Sequence, residues 1–222
     1  MVIVMLNKVV TQIKKMMSTD QSIADQYTDD DLLQSIDPTG YRSSVEQSYV
    51  HQIFMQYMSP DASVIEFGAC RGDFFASWQQ AKQTHPRYLG VEQESKFVET
   101  ASKKYPGISM LVSDYMNIKD LKYDWAITDS LNTKYSTDKA FDKYDNLYKV
   151  LDKMLEVSTL GVVTILHSHL TTQTDVKTSD KYLYYESQKV YTDLIEKFGS
   201  KKLILLDHSL TVDGFVLMIR HQ

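Results

Sequence analysis

One cysteine, Cys70, in 222 residues leaves no partner for an internal disulfide, and the chain reads as a protein of a reducing compartment. Arginine is also scarce, at Arg42, Arg71, Arg87 and Arg220 only, and acidic side chains outnumber basic ones by 29 to 24. Phosphate and base recognition lean on the guanidinium fork, so binding to nucleic acid is not expected. The short clusters Lys103-Lys104 and Lys201-Lys202 read as solvated faces. No long apolar run occurs at the start: Met1–Leu6 meets Asn7 and Lys8, far short of the roughly 20 residues that span a bilayer. With no basic segment before it and no small-residue cleavage site after it, this stretch is a poor signal peptide, and a cytoplasmic protein without a membrane partner is expected. There is no fixed-period repeat and no low-complexity tract.

What is present is an ordinary globular balance, 43% hydrophobic and 24% charged, on a chain long enough to bury a sizeable core. Residues 1–17 pattern as a helix with Val, Ile, Leu and Met on one face. Residues 18–43 are polar and acidic and hold the breaker Asp37-Pro38-Thr39-Gly40. Ser44–Met58 is helical again, with Val45, Tyr49, Ile53 and Tyr57 recurring every four residues. After Ser59-Pro60-Asp61 the regime changes to short apolar runs alternating with helical ones. Strands are expected at Ala62–Phe67, Tyr88–Glu92, Ile108–Ser113, Asp124–Asp129, Val162–His167, Leu203–Asp207 and Phe215–Ile219. Helices are expected at Asp73–Gln83, Glu94–Lys104, Lys139–Val157 and Tyr182–Phe198. Alternation of this kind predicts an α/β fold: a seven-stranded, mostly parallel Rossmann-like sheet with helices on both faces. Asp213-Gly214 suits a turn closing a C-terminal antiparallel hairpin. Residues 1–58 then form an N-terminal helical extension or cap, and 59–222 the main domain.

The most informative stretch is Val64-Ile65-Glu66-Phe67-Gly68-Ala69-Cys70-Arg71-Gly72-Asp73, a strand, a glycine turn and a helix start. Ligands of open parallel sheets sit off the carboxyl ends of the strands. Gly68 and Gly72 let backbone approach a ligand, and the helix N-terminus offers N–H groups to a carboxylate. The dinucleotide pattern G-x-G-x-x-G fails, because Cys70 and Asp73 stand at its later glycine positions. Glu66 would repel a pyrophosphate and suits a cationic ligand. S-adenosyl-L-methionine has the required sulfonium and ammonium groups, with a carboxylate for the turn. Glu92, 20 residues after Gly72, stands where an acid accepts from ribose hydroxyls. Asp114, at the end of the third strand, could accept from an adenine amino group. Taken singly, Glu92 is also a helix N-terminal acid, Asp114 a turn cap and Cys70 a small buried filler.

These residues resemble the first motif of the class I S-adenosylmethionine-dependent methyltransferases, an acid followed by alternating glycines. Glu66-Phe67-Gly68-Ala69-Cys70-Arg71-Gly72 matches it with Cys70 in place of the middle glycine. The resemblance spans about residues 61–221 and implies a methyltransferase using S-adenosyl-L-methionine. It implies that Glu66 serves the methionine ammonium, Glu92 the ribose and Asp114 the adenine. It also implies that Gly68, Ala69, Cys70 and Gly72 form the cofactor turn and that Tyr115 lines the adenine pocket.

Methyl transfer aligns a nucleophile with an electrophilic carbon and often needs a base. In this fold the groups facing the sulfonium follow strands four and five, here Thr128-Asp129-Ser130 and His167-Ser168-His169. Asp129 is a general acid/base or positioning group beside the cofactor; the alternative is a cap at the strand end. His167 and His169, two apart, would face one cleft if the strand persists; the alternative is a core or loop histidine. The chain lacks the Asn-Pro-Pro-Tyr and Pro-Cys signatures of DNA-methylating enzymes. Catechol-type O-methyltransferases bind Mg²⁺ through Asp129's position and a following Asp-Asn pair, which His167-Ser168 replaces. Mg²⁺ is therefore disfavoured, and no metal is expected, although Asp129, His167 and His169 would suit a borderline metal. The polar loop at 171–180 and Tyr182, Tyr184 and Tyr185 either cover an aromatic or sugar-like substrate or are half-buried helix surface. The expected activity is O- or N-methylation of a small molecule, with a homodimer admitted. The alternatives are a protein or RNA methyltransferase, a non-catalytic cofactor-binding module, and a lyase or hydrolase of S-adenosylmethionine.

Overall fold

The computed structural model describes residues 41, 44–82, 87–129, 131, 141–168, 183–208 and 214–222. The expected helix at 1–17, the polar segment to residue 40, His169 and the 171–180 loop lie outside the described residues. Helix α1 spans Ser44–Gln56, and after a turn β1 runs over Val64–Phe67. There follow α2 (Asp73–Lys82), β2 (Tyr88–Glu92), α3 (Ser95–Lys104), β3 (Met110–Val112) and β4 (Tyr123–Thr128). Helix α4 (Lys143–Val157) leads directly into β5 (Ser158–His167), and α5 (Ser187–Phe198), β6 (Lys202–Asp207) and β7 (Gly214–His221) complete the chain. The seven strands form one sheet in the order β3-β2-β1-β4-β5-β7-β6. The pairs among β1 to β5 are parallel, and β7 runs antiparallel between β5 and β6. Strand order reverses between β1 and β4, the place where an open α/β sheet opens a crevice at its carboxyl ends.

The elements follow their sequences with shifts that have local causes. Helix α4 starts at Lys143, four residues later than its apolar pattern suggests. Asp142 caps it, its carboxylate accepting from the N–H groups of Tyr144 at 2.8 Å and Asp145 at 3.1 Å. β5 begins at Ser158 instead of Val162, because the ladder with β4 already engages Tyr123 and Ser158. Gly214 serves as the first residue of β7, opposite His167, and not as part of a turn. A Cβ there would lie 2.5 Å from the Leu166 carbonyl oxygen, so the close approach of β7 to β5 requires glycine.

One face of the sheet packs Ile65, Phe67, Ala126, Val162 and Leu166 against Leu147, Leu151 and Met154 of α4 and Val190 and Leu194 of α5. Alternation puts Val64, Glu66, Trp125, Ile127, Val163 and Ile165 on the other face. On α2, Phe74 and Trp78 are buried, with ring centroids 5.6 Å apart, and Phe54 of α1 lies 6.4 Å from Phe74. Each such ring contributes about 1.5–3 kcal/mol of burial. The buried arc of α1 is Val50, His51, Ile53, Phe54 and Met55, while Val45 is 48% exposed. The row of every fourth residue read from the sequence therefore lies at the edge of the buried arc, and a histidine sits inside it.

Candidate functional site

The turn after β1 has a left-handed backbone at Gly68 (φ 71°), Cys70 (φ 46°) and Gly72 (φ 73°). Cys70 thus holds in the αL region a position that glycine takes without strain. The turn is tied down by its own amides. The N–H groups of Gly68 and Ala69 donate to the Val91 carbonyl at 2.9 and 3.2 Å, and Gly72 N–H donates to the Ala69 carbonyl at 2.8 Å. Cys70 N–H donates to Glu92 Oε2 at 3.0 Å. The donors left for a ligand are those opening α2, where a helix has no intrahelical acceptors for its first N–H groups. Asp73 at that start is balanced by Lys104 at 3.2 Å and Arg71 at 3.5 Å.

Glu92, at the end of β2, is 9% exposed. Its Oε1 accepts from Gln93 N–H at 2.8 Å and Glu94 N–H at 3.1 Å, so with Cys70 it takes three backbone donors. Sequence reading found the acid and missed this second duty, fastening the turn to β2. Asp114, beyond β3, is exposed and caps the 3₁₀ turn Tyr115–Asn117, its Oδ1 accepting from Met116 N–H at 2.9 Å. The Tyr115 ring stacks on Phe67 at 5.0 Å and 12°. Burial raises the Tyr115 phenol above its ordinary value, and the charges of Asp114 and Glu92 add to the rise. Glu92 and Asp114 therefore act on one side chain.

Glu66 is 3% exposed and points to the face opposite the α4 core. Its Oε2 accepts a hydrogen bond from the Tyr88 hydroxyl. Gly90 makes that reach possible: a Cβ there would lie 2.9 Å from the Tyr88 hydroxyl and 2.8 Å from Ala69 Cβ. Burial pushes the Glu66 carboxyl well above the ordinary carboxylate range, and Asp129 is the next cause, ahead of Asp73 and Glu92. Asp129, directly after β4, is 3% exposed, and its Oδ1 is buried without a hydrogen-bond partner among the described residues. Across the sheet order β3-β2-β1-β4, the carboxyl-end acids thus run Asp114, Glu92, Glu66, Asp129.

Asp129 faces α1. His51 Nε2 lies 3.5 Å from Asp129 Oδ2, and His51 is 1% exposed. Its ring meets Phe74 edge-on at 5.3 Å and Tyr41 at 6.5 Å. Burial, then the Asp129 charge, hold the Tyr41 phenol well above its ordinary value. The sequence reading named neither His51 nor Tyr41. The available signal was a histidine flanked by Val50, Ile53 and Phe54 on a helix whose other polar residues are less buried.

His167 ends β5 on the same sheet face as Ile165, with its ring 5.8 Å from Tyr184. Tyr185 is fully buried, and its hydroxyl donates to the Leu131 carbonyl at 3.1 Å, so it belongs to the core. Among the described residues no group of three or more His, Cys, Asp or Glu is placed to hold a metal ion. Among them, too, no helix is long and apolar enough to cross a membrane.

No protein-family model matches the sequence, and no relative is found among the curated proteins. Solved structures do share the fold. The magnesium protoporphyrin IX methyltransferase from Synechocystis, with bound S-adenosylhomocysteine, aligns at TM-score 0.59 and 13% identity over 80% of this chain and 84% of its own. An amino pentose methyltransferase of calicheamicin biosynthesis from Micromonospora echinaspora, with bound S-adenosylmethionine, aligns at 0.56 and 10% over 80% and 91%. The CcbJ methyltransferase from Streptomyces caelestis aligns at 0.59 and 10% over 79% and 90%. At such identities the likeness establishes the methyltransferase fold, and the chemistry must be argued from the residues.

Proposed function

We propose that the chain is an S-adenosyl-L-methionine-dependent methyltransferase that methylates O or N of a small molecule. The observation that carries this reading is the row of acids at the carboxyl ends of four adjacent strands, with Glu66 and Asp129 buried beside each other. Two like charges out of water are stable only with a proton or a cation between them. A ligand bearing a sulfonium and an ammonium fits that demand, and neighbours of the same fold carry it or its demethylated product. When bound, the group supplies an electrophilic methyl carbon. In this reading Glu66 faces the ammonium and Asp114 the adenine, with Tyr115 beside it. The turn of Gly68, Ala69, Cys70 and Gly72 carries the methionine end toward the start of α2. Glu92 accepts from the ribose with the lone-pair capacity its three backbone donors leave. Asp129 holds or accepts the acceptor's proton, and His167 and His169 are further candidate bases. Residues 1–58 are an extension ahead of the catalytic domain at 59–222, and α1 within it packs against that domain. Fold neighbours named for a porphyrin and an amino pentose support a small-molecule acceptor, as does the shortage of arginine.

Thermal unfolding with S-adenosylmethionine and with S-adenosylhomocysteine tests the cofactor. At about 100 times the dissociation constant either ligand is expected to add about 2.7 kcal/mol of stability. Glu92→Ala is expected to lose most of that gain; a wild type that neither ligand stabilises sinks the reading. Methyl-labelled cofactor incubated with cell extract and separated by size identifies the acceptor class. Label in the small-molecule fraction is expected, and label on protein or RNA overturns the acceptor assignment.

A further inference from the structure

His51 has the connections of a site residue although it lies on α1, ahead of the sheet. A proton inventory shows what it does. The Ser77 hydroxyl has one hydrogen and two acceptors in reach, His51 Nδ1 at 2.9 Å and the Asp73 carbonyl at 3.0 Å. If the hydrogen goes to Nδ1, the neutral ring carries its own proton on Nε2; if it goes to Asp73, Ser77 Oγ can only accept and Nδ1 carries a proton. In the second case a neutral imidazole, with one N–H, would leave Nε2 bare. Bare Nε2 would face a bare carboxylate oxygen, Asp129 Oδ2, at 3.5 Å inside the protein. Two opposed lone pairs in a buried site are relieved only by a proton between them.

We propose, on the methyltransferase reading above, that His51 is a positioning residue for Asp129. Its Nε2–H, oriented by the Ser77 contact at Nδ1, holds Oδ2 and leaves Oδ1, beside the Tyr41 hydroxyl, to receive the acceptor's proton. The groups facing this pair are Tyr41, the Phe74 ring edge and, across Asp129, Glu66; Glu46 on α1 acts on Tyr41. In the transfer, the acceptor's lone pair forms the bond to the methyl carbon and the carbon–sulfur pair returns to sulfur as a neutral thioether. The acceptor's proton passes to Asp129 Oδ1. With Oδ2 engaged by Nε2–H, Oδ1 is the oxygen left to take that proton. His51 touches neither cofactor nor acceptor in this account and acts through Asp129.

The first test needs no substrate. In ¹⁵N-histidine NMR of the full chain, His51 is expected to carry a proton on Nε2. In Asp129→Asn, whose amide can donate to Nε2, that proton is expected to move to Nδ1. A bare Nε2 in the wild type, or a ring indifferent to Asp129→Asn, overturns the inference. The second test uses the acceptor found by labelling. His51→Leu is expected to lower kcat by about 100-fold, the scale of a general acid–base contribution, with cofactor affinity changed far less. His51→Gln, which restores one donor, is expected to recover part of the rate. In both variants the loss is expected in kcat, with KM for the acceptor nearly unchanged. A folded His51→Gln no faster than His51→Leu, or a loss confined to KM, overturns the positioning role. Failure of the wild type to bind cofactor is a separate outcome: it fails the transferase reading, while the NMR result still decides the proton arrangement.

Discussion

Glu66 makes the clearest single-residue case, because its burial and its role conflict. Its folded carboxyl is raised by desolvation first and by Asp129 second. A raised acid contributes stability that is full below its ordinary value, about pH 4.3, and lost as pH rises through the folded value. The ligand-free protein therefore carries a destabilising term near neutrality. Glu66→Gln keeps an acceptor for the Tyr88 hydroxyl and removes the charge. Urea unfolding at about pH 8 is expected to find this variant more stable by about 1–2 kcal/mol, the modest end of gains from replacing buried charges. At about pH 5 the difference should shrink. A variant less stable than the parent at the higher pH refutes this. Cofactor affinity is expected to fall in the same variant, the usual exchange of stability for function. The sequence disclosed Glu66, Glu92 and Asp114 because each lies at or just beside the end of a strand that hydropathy marks. It did not disclose the partners of His51 and Tyr88, which lie 26 and 22 residues away and are set by packing.

Between residue and molecule stands the β1-to-α2 turn, whose shape is fixed from outside by β2. Val91 and Glu92 receive three of its N–H groups, so the turn's left-handed residues are held whether or not they prefer that backbone. Cys70 at φ 46° carries the αL cost of about 1–2 kcal/mol. Cys70→Gly is expected to change stability by less than about 1 kcal/mol, as relief of strain offsets the added chain entropy. Cys70→Val is expected to destabilise by about 2 kcal/mol or more, since branched side chains resist this region. Chemical denaturation of both decides it, and equal effects would show that the turn is not strained there. Element type was legible throughout the described sheet because the strands are short apolar runs between breakers. Element ends were less so. α4 starts where Asp142 caps it, and Gly214 is glycine for contact with β5, neither of which hydropathy encodes.

At the scale of the whole molecule, the alternation of strands and helices made the parallel sheet legible, as β1 to β5 confirm. The insertion of β7 between β5 and β6 has no local signature beyond the final pair of apolar runs. The outer strand β6 alternates half-buried Ile204 and Leu206 with Leu203 at 50% and Leu205 at 38% exposure. Its run Leu203–Leu206 is apolar throughout, with no polar alternation to mark an outer strand.

Helix α1 has a last consequence, for how this protein can be divided. It precedes the sheet in the chain, yet it supplies the imidazole opposite Asp129 and the apolar cover of Phe74. A fragment starting at residue 59 would keep all seven strands and expose those groups together. Leaving a buried polar group without its partner costs about 1–3 kcal/mol, added to the lost cover of Phe74, against the 5–15 kcal/mol that holds a typical domain. Such a fragment is expected to be insoluble or to lack a cooperative thermal transition. A soluble, sharply melting 59–222 would show that the sheet is a portable module; the contacts of His51 instead make α1 a keystone that the sheet cannot spare.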